Sequence, residues 1–391
     1  MHFGERIRQA REIRAWTQDE LAKKIGKSKS LIAQVEGGFR LPSDEMLEAV
    51  AFATKFPLAY FNEAPHPEFP ISEVIFRAPK SIRRREVLDA VRYAEHVFSV
   101  YAVLAEKLKQ IPVSIPETNA YPAEAARSIK KSLGIDVASP MNSLIRPLER
   151  AGVTFIVLPR TESGDAFSVW MSRPDGRCSP IVAYSIEGNS VDRTRLSIAH
   201  EIGHLAMHRS FLRKAHDEIE AEAFAFGAEW LMPEAAMRQE IQEPVTITSL
   251  AKLKPRWGVS IASLITRASD LNLISKRQYH YLFHQLSALG MKTREPEALD
   301  IPIEKPRLLR KMVEIVYGDP VDYSALCADT RVSAQELRRM FMDYEGATSE
   351  EIPLKPNVIR FSKRTRMNDW PDTEDDSLTQ EASVPDLSQE H

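Results

Sequence analysis

The pattern His-Glu-Ile-Gly-His at residues 200–204 constrains this chain more than any other stretch, because it places two metal-binding side chains in one apolar segment. A helical period of about 3.6 residues puts histidines four positions apart on one face, so both imidazoles can bind one ion. The surrounding pattern predicts a helix from Asp192 to His208, with Asp192 as the N-cap. We therefore expect a buried helix at the centre of a metal-dependent domain.

The residues of this pattern have separate predicted roles. His200 and His204 are the predicted metal ligands, and zinc is the predicted metal, since two histidines and a third protein ligand leave one Zn²⁺ position open. A water at that position has its pKa lowered towards about 7. Glu201 is placed to take a proton from this water and return it to a leaving amine, as a general base. Other divalent ions also bind such ligands.

A second helix, predicted from about Asp217 to Trp230, is expected to supply the third ligand. Its apolar stripe consists of Ile219, Ala223, Phe226 and Trp230. Among the acidic residues of this helix, Glu222 lies nearest the stripe, and a carboxylate at the margin of a core needs a partner. Glu222 is therefore the predicted third ligand, with Glu218 as second choice. His208 is interpreted as a structural or supporting residue.

Residues 195–204 (RLSIAHEIGH) and 222–233 (EAFAFGAEWLMP) together carry a family resemblance. They resemble the ImmA/IrrE family of zinc metallopeptidases, whose pattern is an H-E-x-G-H helix followed by an E-A-x-x-F-A…L-M-P helix. The resemblance extends from about residue 142 to 296. It implies that His200, His204 and Glu222 bind zinc and that Glu201 is the general base. The chain departs from the family at three non-ligand positions: Phe224 (usually Asn or Asp), Gly227 (usually Ala) and Trp230 (usually Leu).

The N-terminal segment, residues 1–61, is predicted to be helical throughout. Thr17 is expected to cap a helix, with Glu20 three residues on completing a capping box. A further helix starts after Ser28 and ends before residues 37–38, both glycine. Two short helices joined by a tight turn form a helix-turn-helix, whose second helix enters the major groove of DNA. The stretch resembles the Cro/CI-type (XRE) family of DNA-binding domains.

Several polar side chains of this segment are suited to a double-stranded DNA operator. Three residues at the second helix can reach base edges, and three other residues can reach phosphates. The first three are Lys29, Ser30 and Gln34, and the others are Gln18, Lys27 and Arg40. Ten basic residues against eight acidic ones leave only a small positive excess in the segment. We therefore expect a homodimer on two half-sites; the alternative is a protein-interaction module of the same fold.

The rest of the chain predicts an α+β protein with several parts. A linker and long helix occupy residues 62–111. Prolines in the linker favour extended chain, so it is expected to separate the head from the rest. The long helix is expected to pack on the peptidase-like domain or on a second subunit. The peptidase-like domain is predicted over 112–300, a helical C-terminal region over 301–365, and a disordered acidic tail over 366–391. Within 301–365, the sequence faintly resembles another helix-turn-helix, although an ordinary helix pair fits equally well.

Three strands are predicted at residues 153–158, 165–171 and 180–184. The segment Phe167–Trp170 is the expected sheet edge beside the motif helix, where a peptide substrate could bind by strand addition. Four residues of a later helix are alternative electrophiles towards a peptide carbonyl, but core or surface roles are favoured for them. They are Tyr279, His280, Tyr281 and His284.

Composition limits the class of protein. The 391 residues suffice for two or three domains, and a hydrophobic content of 43% is ordinary for a soluble globular protein. No apolar run approaches the roughly 20 residues of a membrane span, and the first residues lack a signal-peptide core, so a cytoplasmic protein without membrane contact is expected. Cys178 and Cys327 are too few for a disulfide framework. The net charge of −3 averages unlike segments.

These observations favour a DNA-binding transcriptional regulator that carries a zinc-dependent endopeptidase. The expected substrate is a regulatory protein partner, such as a repressor or another copy of the chain. The alternative is a non-proteolytic regulator whose zinc-binding or ligand-binding domain senses a signal and controls DNA binding. A third possibility is an antitoxin-like partner binder without metal chemistry. The presence of Glu201 argues against the non-proteolytic regulator, because a structural zinc has no need of it.

Overall fold

The computed structural model describes most of the first 341 residues. The described ranges are 2–64, 68–70, 84–108, 113–159, 166–173, 176–186, 189–209, 215–291, 295–296, 299 and 301–341. They fall within a single unit, residues 1–344. The predicted acidic tail, the end of the C-terminal region and most of the proline-containing linker lie outside the described residues.

The N-terminal head consists of short helices around its own core. Its elements are α1 (Phe3–Ile13), α2 (Gln18–Lys24), α3 (Lys29–Glu36), α4 (Asp44–Thr54) and a 3₁₀ helix at Leu58–Asn62. The predicted capping box is confirmed: Thr17 Oγ1 accepts from the Glu20 amide at 3.1 Å, and the Glu20 carboxylate accepts from the Thr17 amide at 2.6 Å. Ser28 caps α3 in the same way. Helices α2 and α3 thus form the expected helix-turn-helix.

The body begins with a long helix and contains most of the remaining elements. Its helices are α5 (Arg84–Leu108), α6 (Pro122–Ser132), α7 (Ile145–Arg150), α8 (Val191–Met207), α9 (His216–Leu231), α10 (Glu234–Glu240), α11 (Ile247–Trp257), α12 (Ile261–Asp270) and α13 (Lys276–Ala288). Three further helices follow, α14 (Leu308–Tyr317), α15 (Tyr323–Thr330) and α16 (Ala334–Met340). The predicted motif helix and its partner are therefore confirmed within about one residue at each end.

A three-stranded sheet divides the body into two layers. It consists of β1 (Thr154–Leu158), β2 (Ala166–Ser172) and β3 (Cys178–Ser185). The strand order is β1-β3-β2, with β1 parallel and β2 antiparallel to β3. All three predicted strands are confirmed, and β2 lies at an edge as expected for residues 167–170.

Each face of the sheet packs on its own core because successive side chains of a strand point to opposite faces. On β3, Val182 and Tyr184 pack with the motif helix α8 and with α9. Ile181 and Ala183 pack instead with α5 and helices α14 to α16. The long helix is thus part of the body, which confirms the first of the two predicted positions for it.

The head packs directly on α5 and on the C-terminal helices. Arg92 of α5 contacts Glu12 at the end of α1, at 2.8 Å. His96 of α5 is fully buried, and its ring lies 5.2 Å from that of Phe56 in the head. Arg14 pairs with Glu336 of α16 at 3.0 Å. The expectation that the segment after residue 61 keeps head and body apart is therefore wrong, because buried contacts join them.

Two glutamates attach the C-terminal helices to the peptidase-like part. Glu304 accepts hydrogen bonds from the amides of Leu144 and Ile145, where α7 begins. Glu149, within α7, accepts in turn from the amides of Arg307 and Leu308, where α14 begins. Each carboxylate thus caps the N-terminus of the other segment's helix. Among the helices of the described ranges, none has both the length and the apolar character needed to cross a membrane.

Candidate metal centre

The motif helix α8 and its partner α9 approach closely at two glycines. A Cβ atom at Gly203 would lie 3.1 Å from the Phe226 side chain, and one at Gly227 would lie 3.1 Å from the His200 amide nitrogen. Larger side chains at these positions would push the helices apart. The two glycines therefore bring carboxylates of α9 against the histidines of α8.

His200 and His204 lie side by side on the buried face of α8. Their Nε2 atoms are 3.0 Å apart. From α9, the carboxylate of Glu220 reaches both rings, with one oxygen 3.2 Å from Nε2 of His200 and the other 3.2 Å from Nε2 of His204. Two imidazole nitrogens and a carboxylate thus converge on one point from two helices.

The spacing of these groups fits a small divalent ion. Ligand atoms of a tetrahedral ion with bonds of about 2.0–2.1 Å lie about 3.3 Å apart. The observed separations among His200, His204 and Glu220 are 3.0 to 3.2 Å. Two imidazoles and a carboxylate are also a donor set that Zn²⁺ accepts. The residues present therefore fit the metal that the sequence predicts.

The predicted third ligand, Glu222, lies elsewhere. Its carboxylate is 2.8 Å from Nε2 of His208, the histidine one turn beyond His204 on α8. The second choice, Glu218, is exposed. The structure thus places Glu220, and not the predicted Glu222, against the histidine pair. Glu220 and Glu222 lie on opposite margins of the apolar stripe of α9, and the crossing with α8 selects between them.

Glu201 lies beside the two histidines at the centre of the site. It is buried, and one ligand atom from each of His200, Glu201 and His204 lies within 4.8 Å of the others. It is therefore close enough to exchange a proton with a group held between the histidines.

The charge at the site favours metal binding. Burial raises the pKa of the Glu220 carboxyl, but its hydrogen bonds to His200 and His204 outweigh burial and hold that pKa well below its usual range. Glu220 is therefore ionised at neutral pH, which is the form that binds a metal.

The start of α8 is held by a buried ion pair. Ser190 is the N-cap, so the predicted cap Asp192 lies within the first turn instead. The Asp192 carboxylate contacts Nζ of Lys254 at 2.7 Å, and Glu295 lies 3.0 Å from the same ammonium. Burial lowers the pKa of Lys254, but these two carboxylates outweigh it and raise that pKa above its usual range. The pair ties the motif helix to α11.

The edge strand β2 lies against the other end of α8. Nε1 of Trp170 donates to the Leu205 carbonyl at 3.0 Å, one residue after the second motif histidine. The guanidinium of Arg209 lies 4.4 Å from the centre of the Trp170 ring. Strand β2 is thus attached to the motif helix beside the site, as predicted.

The four alternative electrophiles lie on α13. On α13, Tyr279 packs on Phe283, with ring centres 4.7 Å apart. The Tyr281 hydroxyl accepts from Gln285 at 2.9 Å, and His280 and His284 are exposed.

The predicted DNA-contacting residues all lie on the head. Lys29, Ser30 and Gln34 are exposed along α3, and Arg40 is exposed in the loop after it. The other two form contacts within the head. The Gln18 amide donates to Glu36 at 2.8 Å, while Lys27 lies 3.4 Å from Glu45. The face of α3 that carries Lys29, Ser30 and Gln34 is thus exposed while the head is packed on the body.

The fold and the site define a chain that joins a helix-turn-helix head to a body of the metallopeptidase type. Comparison with protein families agrees. A model of a helix-turn-helix domain matches residues 4–61. A model of the IrrE N-terminal-like peptidase domain matches residues 148–269. These two matches agree with the predicted fusion of an XRE-type helix-turn-helix domain with an IrrE-like peptidase domain. No curated protein matches the chain significantly.

Sequence reasoning missed two features of the site. It did not select Glu220, and it gave His208 no specific partner. The four-residue spacing from His204 to His208 was a usable signal for the second, because it predicts that the two rings are neighbours on α8. For Glu220 the sequence carries no comparable signal.

Proposed function

We propose that the body is a zinc-dependent endopeptidase that hydrolyses peptide bonds in a regulatory protein partner, such as a repressor, while the head binds an operator. One observation carries this proposal: the Glu220 carboxylate closes on both motif histidines at 3.2 Å, with Glu201 buried alongside. A metal ligand set and a neighbouring proton acceptor are the two parts that metal-dependent hydrolysis requires.

His200, His204 and Glu220 are the residues proposed to hold the metal, with Glu220 taking the role predicted for Glu222. A bound Zn²⁺ supplies Lewis acidity, which lowers the pKa of water and polarises a carbonyl. Each imidazole presents its Nε2 atom to the shared point, so both must be unprotonated there. Glu220 contributes negative charge, which offsets part of the charge of the ion.

Glu201 is proposed to move the proton in the reaction. Its carboxylate takes a proton from the attacking water and delivers it to the leaving amine when the peptide bond breaks. Strand β2 is proposed to hold the substrate in extended form, because it is an edge strand attached to α8 through Trp170. An edge strand offers backbone groups that a peptide can pair with.

The head is proposed to read DNA through Lys29, Ser30 and Gln34 and to contact phosphates through the other three predicted residues. Exposure of α3 supports this assignment. One short recognition helix reads few base pairs, which favours two copies on adjacent half-sites. The homodimer and the cytoplasmic location remain predictions.

The test compares full-length wild type with Glu201→Gln, using Asp217→Asn as a control because Asp217 is exposed on α9. Bound metal is measured by mass spectrometry, and cleavage is followed in matched cell extracts by proteomics of repressor-like proteins. We expect metal in all three proteins and specific cleavage in all but Glu201→Gln. Cleavage that persists in Glu201→Gln contradicts its role as the base.

The choice of third ligand has its own test. Glu220→Gln is expected to lose stoichiometric zinc at low free metal, because a neutral amide is a poor zinc ligand. Glu222→Gln is expected to keep it. The reverse result restores Glu222 as the ligand.

The sensor function is the second candidate function. It is supported by the buried contacts that join the head to the body. Metal in every variant without cleavage, together with DNA binding that changes on removal of zinc, supports a sensor and contradicts the peptidase. DNA binding that is unaffected by zinc argues against the sensor.

A further inference from the structure

His200 and His204 differ in what contacts Nδ1, the ring nitrogen that lies away from the proposed metal. Nδ1 of His204 lies 3.1 Å from Nδ1 of His208. Nε2 of His208 lies 2.8 Å from a carboxylate oxygen of Glu222. The side chains of His204 and His208 are each only 1% exposed. A continuous chain of polar contacts thus leads from His204 away from the site to Glu222.

The donors and acceptors of this chain can be assigned. As a metal ligand through Nε2, His204 carries its proton on Nδ1 and donates it to Nδ1 of His208. His208 then carries its own proton on Nε2 and donates it to the carboxylate of Glu222. All three groups are satisfied by one set of tautomers, and that set orients His204 with its free electron pair towards the metal.

His200 has a different environment. Its Nδ1 atom is buried and has no hydrogen-bond partner among the described residues. The ring of Phe224 packs against it instead, with ring centres 4.2 Å apart and planes 50° apart. Phe224 limits rotation of the imidazole by contact, but it offers no oxygen or nitrogen to accept the Nδ1 proton.

We propose that His208 and Glu222 form a positioning pair that orients His204 by hydrogen bonds. His200 has no equivalent pair among the described residues, because Phe224 offers it no hydrogen-bond acceptor. This rests on the proposed metal centre at His200, His204 and Glu220. Partners that orient a ligating histidine typically change metal affinity about 10- to 100-fold when removed. Because only His204 is oriented in this way, we expect the loss of metal affinity to follow from removal of His208.

A second consequence concerns Phe224. An acceptor at this position, one turn after Glu220 on α9, would face the buried Nδ1 of His200. Phe224→Asn is therefore expected to tighten zinc binding. The same substitution leaves His208 and Glu222 in place, so its effect is separate from theirs.

The experiment measures zinc affinity of the full-length protein by competition with a chromogenic chelator. The variants are His208→Phe, Glu222→Gln and Phe224→Asn. The control is Asp217→Asn, because Asp217 is an exposed acid of α9 that belongs to no predicted ligand set. We expect His208→Phe to weaken binding about 10- to 100-fold. Glu222→Gln weakens it less, because the amide oxygen still accepts a hydrogen bond. Phe224→Asn tightens it, and the control matches wild type.

Two further measurements separate positioning from a general structural role. Urea unfolding of the metal-free proteins shows whether each variant is folded, and zinc affinities are compared only among folded proteins. The visible spectrum of the Co²⁺ form reports the ligand set, and we expect a spectrum of the same four-coordinate type in His208→Phe as in wild type. The double variant His208→Phe/Glu222→Gln is expected to bind zinc as His208→Phe does.

A folded His208→Phe protein with wild-type zinc affinity overturns the positioning pair. So does a Glu222→Gln protein that loses zinc as completely as Glu220→Gln, since Glu222 is then a ligand. A wild type that takes up no zinc contradicts the metal centre and the positioning pair together. Zinc binding with the expected ranking but no peptide cleavage supports the pair and contradicts only the endopeptidase.

Discussion

Nη1 of Arg14 lies 3.0 Å from the carboxylate of Glu336, although the two residues are 322 positions apart in the chain. Arg14 follows the first helix of the head, and Glu336 lies in α16. Their side chains are only 17% and 7% exposed. The same guanidinium donates to the Thr54 carbonyl and lies over the Phe56 ring. This buried ion pair therefore connects the core of the head to the C-terminal helices.

Glu336→Gln is expected to destabilise the protein by about 1–3 kcal/mol, because it leaves the buried Arg14 charge without its counter-charge. Urea unfolding measures the change. The matched control is Glu63→Gln, which removes a similar pair with Arg331 in which both side chains are about half exposed. An exposed pair contributes about 0–1 kcal/mol. Equal effects of the two variants would mean that the Arg14 pair does not stabilise the docked head.

Acid is expected to destabilise the contact between head and body through His96. Burial, with the charges of Arg14 and Arg6 adding to it, lowers the pKa of His96 from 6.5 to about 3. The unfolded state therefore binds a proton that the folded state excludes between these values. The contribution of neutral His96 to stability is fully present above pH 6.5. It falls by about 1.4 kcal/mol per pH unit between pH 6.5 and about 3.

The check for His96 is urea unfolding at pH 7.5 and 5.0. The loss of stability between these values is expected to be smaller by about 2 kcal/mol in His96→Phe than in wild type. Phe keeps an aromatic ring beside Phe56 and removes the titrating group. Identical pH dependence in both proteins would show that His96 does not stay neutral in the fold.

Lys130→Met is expected to stabilise the protein at neutral pH. Lys130 is 1% exposed, with its ammonium 5.8 Å from the centre of the Trp230 ring. Burial, only partly offset by Glu229 and Asp136, lowers the pKa of Lys130 from 10.5 to about 8. The charged form therefore costs stability below pH 8, and stability rises with pH between 8 and 10.5 as the folded state releases its proton first.

The gain from Lys130→Met should be about 3 kcal/mol at pH 7 and less than about 1 kcal/mol at pH 10. Chemical unfolding of both proteins at the two pH values gives the comparison. Lys131→Met provides a control, because Lys131 is the exposed neighbour in the same helix. A gain that does not shrink at pH 10 would assign the effect to packing rather than to the buried charge.

Arg40→Ala is expected to weaken binding to a mixed-sequence duplex and to reduce the dependence of log affinity on log salt by about 1, as for one lost phosphate contact. Arg40 is exposed in the loop after α3. Fluorescence anisotropy at several salt concentrations measures both quantities. Lys131→Ala removes an exposed charge from the body and should leave them unchanged. An unchanged salt dependence in Arg40→Ala removes it from the phosphate-contacting set.

Local signals in the sequence predicted the helices and strands around the site. The capping box of Thr17 and Glu20 involves neighbouring residues, so it could be identified without knowing the fold. The same is true of His200 and His204, because a helix places residues four apart side by side. The alternation along β3 likewise follows from the geometry of a strand.

Contacts between elements were harder to predict. Glu220 and Glu222 are separated by about 200° around α9, and sequence alone does not show which side faces α8. That choice depends on the close approach at Gly203 and Gly227. Similarly, no local pattern relates Arg14 to Glu336. The attachment of the head to the body therefore could not be predicted from the linker, whose prolines suggested separation.

The shared sheet has a thermodynamic consequence. One face of β3 packs with α8, and the other packs with α5, which also contacts the head. A single layer of strands thus separates the helix that contacts the head from the helix that carries the metal-binding histidines. If operator DNA and zinc, or operator DNA and substrate, bind the same arrangement of these layers more tightly, each strengthens the binding of the other. By linkage, the free energy by which zinc or substrate strengthens DNA binding equals the free energy by which DNA strengthens the binding of zinc or substrate.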